Sequence, residues 1–265
     1  MIGELAATRI MLMHTLSRMR MTLLWWTIGV SLYTIINLAV YPSFKDSMLL
    51  EVQNYPEAMV KAFGLENLDQ IGPYMYAQVF LMLPLILAFF PIMTFAGALA
   101  GAEERGGLDV LLTQPIRRRT LVLATWIAAV ICVGIVLAAT GLLSWLLIVV
   151  IGESLGFGET MLAAWSVLPV TITVGSIGLL LSSAMRSRGS VLGASIGIAF
   201  LLYLIDVVGK IATNLQDIRW ISPFRYFNDV FTFEVQVWHY LLLIGVSLVL
   251  LGLSIRVFER RDIYT

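Results

Sequence analysis

Six long apolar runs, separated by shorter polar segments, dominate the hydrophobic pattern of this chain. A helix needs about 20 mostly apolar residues to cross the hydrocarbon core of a membrane. Runs of this length are interpreted as helices because backbone polar groups inside lipid must be hydrogen-bonded within the protein. The six predicted spans are Leu23–Tyr41, Tyr76–Ala100, Leu121–Ile151, Met161–Leu181, Val191–Val208 and Tyr240–Phe258. The pattern therefore predicts an all-α polytopic membrane protein with six transmembrane helices, in one domain over residues 1–265.

Composition supports this interpretation, and the placement of charge predicts an orientation. Hydrophobic residues make up 59% of the chain and charged residues 13%, and the mean hydropathy is +0.90. If both termini are inside, the inner segments hold three Lys or Arg in 1–22, four in 101–120, two in 184–190 and three in 256–265, out of 17 in all. Cytoplasmic loops carry such an excess. Both termini are therefore expected in the cytoplasm, and the chain in the plasma (inner) membrane.

The inner segment 101–120, between the second and third spans, carries a short amphipathic pattern. Gly106 and Gly107 predict a break after the second span, because glycine tolerates backbone angles that other residues avoid. Three leucines then recur at the i, i+3, i+4 spacing of one helix face: Leu108, Leu111 and Leu112. Pro115 ends this short helix. An apolar face held at the membrane surface is suited to docking against another protein.

Two further short helices are predicted outside the spans. Residues 1–22 favour an interfacial helix on the inner leaflet, although the alternative is that they simply extend the first span. Proline suits a first helical turn and glycine the position after the last one, so Tyr55–Gly64 indicates a two-turn helix in the first outer loop.

The segment 209–236, before the last span, is rich in aromatic residues. Aromatic residues collect at the membrane–water boundary, and the residues alone favour an interfacial belt there. The alternative is a pair of short re-entrant helices that cap a pathway from the outer side.

Motifs for catalysis are missing from the sequence. It has no G-x-x-x-x-G-K-[ST] phosphate loop and no H-E-x-x-H zinc motif, so we expect neither ATP hydrolysis nor a metal site in this chain. Asp206 is the one acidic residue inside a predicted span, near the outer end of the fifth. That position favours an interfacial carboxylate over a proton relay.

A tandem G-x-x-x-G stripe opens the fifth span, formed by Gly189, Gly193 and Gly197. Small residues at this spacing allow helix backbones to approach closely. The spacing alone fits a seam between subunits and packing within one chain equally well.

Several of these elements together resemble the membrane subunits, or permeases, of type-2 ATP-binding-cassette exporters. The resemblance covers the whole chain and is most specific over residues 103–118. The matching residues of that segment are Glu103, Glu104, Arg105, Gly106, Gly107, Leu108, Leu111, Leu112, Pro115 and Arg117. Further matches are the outer Tyr55–Gly64 segment, the Ser222-Pro223-Phe224 motif and the terminal run Phe258–Asp262.

The resemblance implies a role for each of these regions. Residues 103–117 would include the coupling helix that seats in a separate ATPase, and the glycine stripe would lie at a seam between two permease subunits. The outer gate would include Ser222, Pro223 and Phe224. For segment 209–236, the resemblance favours the re-entrant helices over the interfacial belt. The partners implied are two copies of the ATPase, which carry the ATP and Mg, a second permease (a homodimer is favoured) and membrane lipid. No nucleic-acid partner is expected.

The function implied is a non-catalytic permease that forms the pathway of an ATP-driven exporter. A mostly apolar pathway suits a hydrophobic or amphipathic substrate such as a drug, an antibiotic or a lipid. The alternative is a stand-alone membrane protein: a scaffold, a regulator or a membrane enzyme of another kind.

Overall fold

The computed structural model describes residues 2–52, 54–56, 59–60, 63, 65, 67–106, 117–227, 230–231 and 236–261. Six of its helices are long and apolar enough to cross a membrane: Thr8–Ser43, Ile71–Glu104, Arg118–Val150, Phe157–Ala184, Arg188–Ile211 and Val237–Arg260. Each contains most or all of one predicted apolar run. The six predicted spans are therefore confirmed.

The helices that form these spans are named in chain order. They are α1 (Ile2–Val52), α2 (Ile71–Met75), a π-helical turn (Tyr76–Phe80), α3 (Leu83–Ala98), α4 (Ala100–Glu104), α5 (Arg118–Val150), α6 (Phe157–Ala184), α7 (Arg188–Ile211) and α8 (Val237–Arg260). Two 3-10 helices, Thr213–Ile221 and Pro223–Tyr226, lie between α7 and α8. The second span is thus composite, running from α2 through the π-helical turn and α3 to α4.

The first helix corrects one prediction, because α1 continues without a break from Ile2 into the first span. Residues 2–22 are therefore an extension of that span and not a separate interfacial helix. The sequence offers no glycine or proline between Leu5 and Ile28 that would end a helix there. The apolar stripe of this segment faces protein, since Met11 and Met19 are buried and their neighbour Leu12 packs against the same core.

The short helix predicted at Tyr55–Gly64 lies mostly outside the described residues. Where the chain is described, the Val60 N–H donates to the Pro56 carbonyl at 3.1 Å, which is the i-to-i−4 bond of one helical turn.

Helix α6 is the centre of the bundle, since it contacts the second, third, fifth and sixth spans. A close approach to α3 depends on Gly175, where an added Cβ would lie 2.7 Å from Cγ of Pro91. Polar side chains of α6 also bond to its neighbours: Ser182 donates to the Phe95 carbonyl at 2.8 Å, and Trp126 of α5 donates to Ser176 at 3.0 Å. Interhelical hydrogen bonds of this kind reinforce packing that lipid does not drive.

The outward faces of α1, α7 and α8 stay apolar and exposed. Trp25 of α1, Phe200 of α7 and Val249 of α8 each present more than half of their surface. Such continuous apolar exposure fits contact with lipid or with another membrane subunit.

The contact at Gly175 generates a stability prediction. Alanine favours a helix over glycine by about 1 kcal/mol, but at position 175 its methyl would collide with the rigid ring of Pro91. Overpacking of this kind costs about 1–3 kcal/mol. We therefore expect Gly175→Ala to lower the midpoint of thermal unfolding in detergent. Gly252→Ala, on exposed α8 surface with nothing within 4 Å of the added Cβ, should leave it equal or higher. Equal midpoints for the two variants would contradict the close approach of α3 and α6.

Candidate functional site at the flanks of the 107–116 loop

The predicted docking helix lies in the loop 107–116, which is outside the described residues, so Gly107, Leu108, Leu111, Leu112 and Pro115 are not described. Its flanks are described on both sides. Helix α4 ends at Glu104, and Gly106 has a φ of +67°, a left-handed conformation that favours glycine. The predicted break after the second span is thereby confirmed. On the other flank, Arg117 is the N-terminal cap residue of α5.

The strongest contact at these flanks joins Glu103 to Arg261. One oxygen of the Glu103 carboxylate accepts from the Arg261 guanidinium at 2.6 Å, and the other lies 3.6 Å from Nε of Arg186. The Arg261 side chain is only 9% exposed and that of Glu103 is 16% exposed. A charge-assisted bond in such a shielded position is stronger than a surface ion pair.

Arg261 also caps a neighbouring helix. Its Nη1 donates to the carbonyls of Ser183 and Met185, at 3.2 and 3.0 Å, where α6 ends. The last carbonyls of a helix lack intrahelical partners, and cationic side chains commonly satisfy them. One arginine after α8 therefore ties α6 and α4 together.

Arg118 caps the end of α8 in the same way. Its Nη1 lies within hydrogen-bond distance of the carbonyls of Phe258, Glu259 and Arg261. As a residue of the first turn of α5, Arg118 fixes the start of the third span against the end of the sixth. From the sequence, three consecutive arginines at this position indicate surface charge. In the structure, Arg118 instead caps the last carbonyls of α8.

The third contact reaches the fifth span. The Glu104 carboxylate accepts from the backbone N–H of Arg188, the first residue of α7, at 2.9 Å. A carboxylate at this place is favoured, because the first N–H groups of a helix are free and carry partial positive charge.

Together these contacts form the flank network, which comprises Glu103, Glu104, Arg118, Arg186, Arg188 and Arg261. It joins the ends of spans two to six beside the loop that the sequence predicts to dock a partner. Sequence reasoning singled out Glu103 and Glu104 but assigned no role to Arg186, Arg188 or Arg261. The available signal was that arginines follow directly on apolar spans, where helix carbonyls need donors.

At the opposite end of the bundle, Asp206 is buried in a triad of charges. Its side chain, 3% exposed, bonds to Nε of Arg219 at 2.9 Å and to Nζ of Lys210 at 3.0 Å. The first 3-10 helix is thereby fixed to α7. A Cβ at Gly209 would lie 2.3 Å from Cγ of Arg219, so a glycine is required for this approach. Asp206 is thus a buried, paired carboxylate near the end of α7.

The predicted outer-gate residues lie directly beside this triad. Ser222 is fully buried and donates to the Leu202 carbonyl of α7 at 2.7 Å. Pro223 and Phe224 are buried too, and the Phe224 ring meets Tyr203 edge-on at 5.4 Å between centroids. The described part of 209–236 thus forms two short 3-10 helices packed on the bundle.

The glycine stripe makes no close packing contact with the residues that the structure describes. A Cβ placed on Gly193 or Gly197 would meet nothing within 4 Å, and one on Gly189 would meet only its neighbour Ser187, at 3.8 Å. All three glycines are exposed. Among the described residues, nothing packs closely on the face of α7 that carries these three glycines.

A bundle of six apolar spans defines a multi-pass membrane protein. The model of the family described as "ABC-2 family transporter protein" matches residues 12–263, so the chain belongs to the ABC-2 transporter family. No curated protein matches the sequence. Subunits of this family are generally non-catalytic permeases that work with ATP-binding-cassette ATPases. The family predicted from the sequence is therefore confirmed.

The flank network generates a second prediction. Arg261→Gln removes a charge-assisted bond to Glu103 and two caps on α6, which should cost about 1–3 kcal/mol of unfolding free energy. Arg260→Gln, an exposed neighbour, should cost little. The readout is again the thermal midpoint of the purified protein.

A double-mutant cycle with Glu103→Gln separates the pair from other effects. The double variant should lose less than the sum of the two single losses. Strict additivity would mean that Glu103 and Arg261 do not interact.

Proposed function

We propose that this protein is the permease subunit of an ATP-driven exporter in the plasma membrane. The observation that carries the proposal is the flank network. The last two residues of α4, Glu103 and Glu104, bond to the ends of other spans, and Arg118 does so on the α5 side. A displacement of the loop by a partner is thereby transmitted to spans two to six together.

In this proposal the loop 107–116 is the coupling helix, on the cytoplasmic side with both termini. The excess of Lys and Arg in 1–22, 101–120, 184–190 and 256–265 supports that orientation. A separate ATPase binds the loop and carries the ATP and Mg, since this chain has no phosphate loop. ATP binding draws two such ATPases together, moves the coupling helices, and opens the pathway toward the outside.

We further propose a homodimer with two ATPases, in which the glycine stripe of α7 forms part of the seam between permeases. Its support is the empty space over Gly193 and Gly197, which leaves room for the backbone of another helix. The apolar surface of α1 is equally uncovered by the chain itself. Ser222, Pro223 and Phe224, packed over the end of α7, would act as the outer gate, and the substrate is hydrophobic or amphipathic.

The docking step is tested at the apolar face of the loop. Leu111→Asp combined with Leu112→Asp should abolish recovery of the ATPase with the tagged permease, together with transport-coupled ATP hydrolysis. A carboxylate buried without a partner in an apolar contact costs several kcal/mol, and such interfaces depend on a few anchors. The measurement is ATPase recovered per permease at equal membrane abundance.

The control is Thr113→Asp, which adds one negative charge off the predicted leucine face and is compared with Leu111→Asp alone, which adds one on it. It should retain most of the recovery. Undiminished recovery of the ATPase with both leucines replaced would show that this loop is not the docking site. An equal loss of recovery with Thr113→Asp would show that the leucine face is not what the ATPase binds.

Larger side chains on the glycine stripe test whether it lies at the seam between permeases. Gly193→Leu or Gly197→Leu should weaken pairing of permeases, because leucine separates backbones that glycine lets approach. Gly252→Leu on exposed α8 is the control. Pairing is read from cross-linking between subunits through single cysteines along positions 189–197. No cross-link at any of these positions, with the permease dimeric, would place the seam elsewhere.

A further inference from the structure

A cleft of about 450 Å³ lies between the first half of α1 and the second, third and fifth spans, near the flank network. Three arginines line it, one from α1, one directly after α4 and one at the start of α7: Arg18, Arg105 and Arg188. None of the described residues that line it is acidic. His14 lines it as well. The site is thus an anion-attracting one, built from three separate elements.

The arrangement of two of these arginines is specific. A Cβ placed on Gly101 would lie 3.2 Å from Cδ of Arg188 and 3.4 Å from Nη1 of Arg105. The two side chains therefore converge over a position that has no side chain of its own. The Glu104 carboxylate accepts from the Arg188 backbone N–H at 2.9 Å. Like charges that converge in this way repel each other unless an anion lies between them.

A second, apolar cleft of about 380 Å³ continues along the same two helices toward the other end of the bundle. It is lined by Trp25, Trp26, Gly29, Val30 and Tyr33 of α1 and by Leu83 and Ile86 of α3. Nothing lies within 4 Å of a Cβ on Gly29, so no side chain of the described chain fills the cleft there. Arg18 and Gly29 are eleven residues apart, which is about 16 Å along a helix and close to the thickness of one hydrocarbon leaflet.

We infer that the two clefts together bind an anionic membrane lipid. Its phosphate lies among Arg18, Arg105 and Arg188, and its acyl chain lies against Trp25 and Gly29. Charge complementarity at one end and apolar lining at the other select an amphiphile with one negative headgroup. The inference concerns binding alone, so it stands or falls independently of ATPase docking and transport.

The test uses the purified full-length chain in phosphatidylcholine nanodiscs that contain a small fraction of photoactivatable phosphatidylglycerol. Cross-linked peptides are mapped by mass spectrometry, and phosphatidylcholine with the same photoactivatable tail serves as the neutral probe. We expect phosphatidylglycerol to label residues 11–33 and 83–105 in clear excess over phosphatidylcholine. Equal labelling by the two probes would overturn the inference.

Charge variants test the headgroup end. The combination Arg18→Gln, Arg105→Gln and Arg188→Gln should lower labelling by phosphatidylglycerol roughly tenfold or more, because each basic residue near a membrane surface strengthens binding of anionic lipid several-fold. The matched control replaces three exposed arginines at the same end that do not line the cleft: Arg9→Gln, Arg20→Gln and Arg260→Gln. An equal loss in this control would show a general surface charge and no site.

A bulk variant tests the tail end. Gly29→Phe should reduce labelling of residues 25–33 while it leaves the thermal midpoint unchanged, since the added ring enters open space. Gly252→Phe should leave labelling intact. Labelling that Gly29→Phe does not change would overturn the tail position.

Two other occupants are distinguished by the same preparation. Excess inorganic phosphate should fail to displace the lipid, and full displacement would mean that the cleft recognises a free anion. Zero-length cross-links between α1 residues 11–33 of two copies, with no lipid label there, would mean that a second permease covers the groove.

Discussion

The ends of helices govern the structure at the end of the bundle that carries the flank network. Each span finishes with carbonyls that no intrahelical N–H can satisfy, so these carbonyls need donors from elsewhere. Arg118 and Arg261 supply those donors for α8 and α6, and Glu103 holds Arg261 in place. Because the donors come from other spans, satisfying one helix end fixes the position of another. These bonds add to the apolar packing of Leu99 and Ala102 on Leu121, which already holds together the two helices that the loop 107–116 joins.

Buried charges are paired differently at the two ends of the bundle. Near the loop, the acids and the bases come from several spans, so the contacts connect parts that are far apart in the chain. At the opposite end, Asp206, Lys210 and Arg219 lie within fourteen positions of one another and fix only one short segment to α7. The first arrangement suits the collective movement of a bundle. The second suits a local element that packs and unpacks on its own.

Hydropathy alone predicted the six spans, because a run of about 20 apolar residues has few other stable states in a membrane. It failed at residues 2–22, since the stripe with Met11 and Met19 looks the same whether it faces lipid headgroups or protein. The break at Gly106 was predictable from a local backbone requirement. The Glu103–Arg261 pair was not, because it depends on where two helices 158 positions apart come to an end. The contact of Asp206 with Arg219 was hidden for a similar reason, because Arg219 returns to α7 only through the 3-10 helix, whereas Lys210 lies at the i+4 position of the same helix.

The unbroken first helix has a mechanical consequence. Thr8–Ser43 alone spans 36 residues, about 54 Å, which is longer than a bilayer of roughly 40–45 Å with its headgroups. One continuous rod therefore joins the two aqueous sides of the membrane, and it packs chiefly on α5. Any tilt imposed where α5 begins, next to the loop, swings the far end of α1 through a larger arc. A small change of tilt at one end of α1 therefore becomes a larger displacement at its other end.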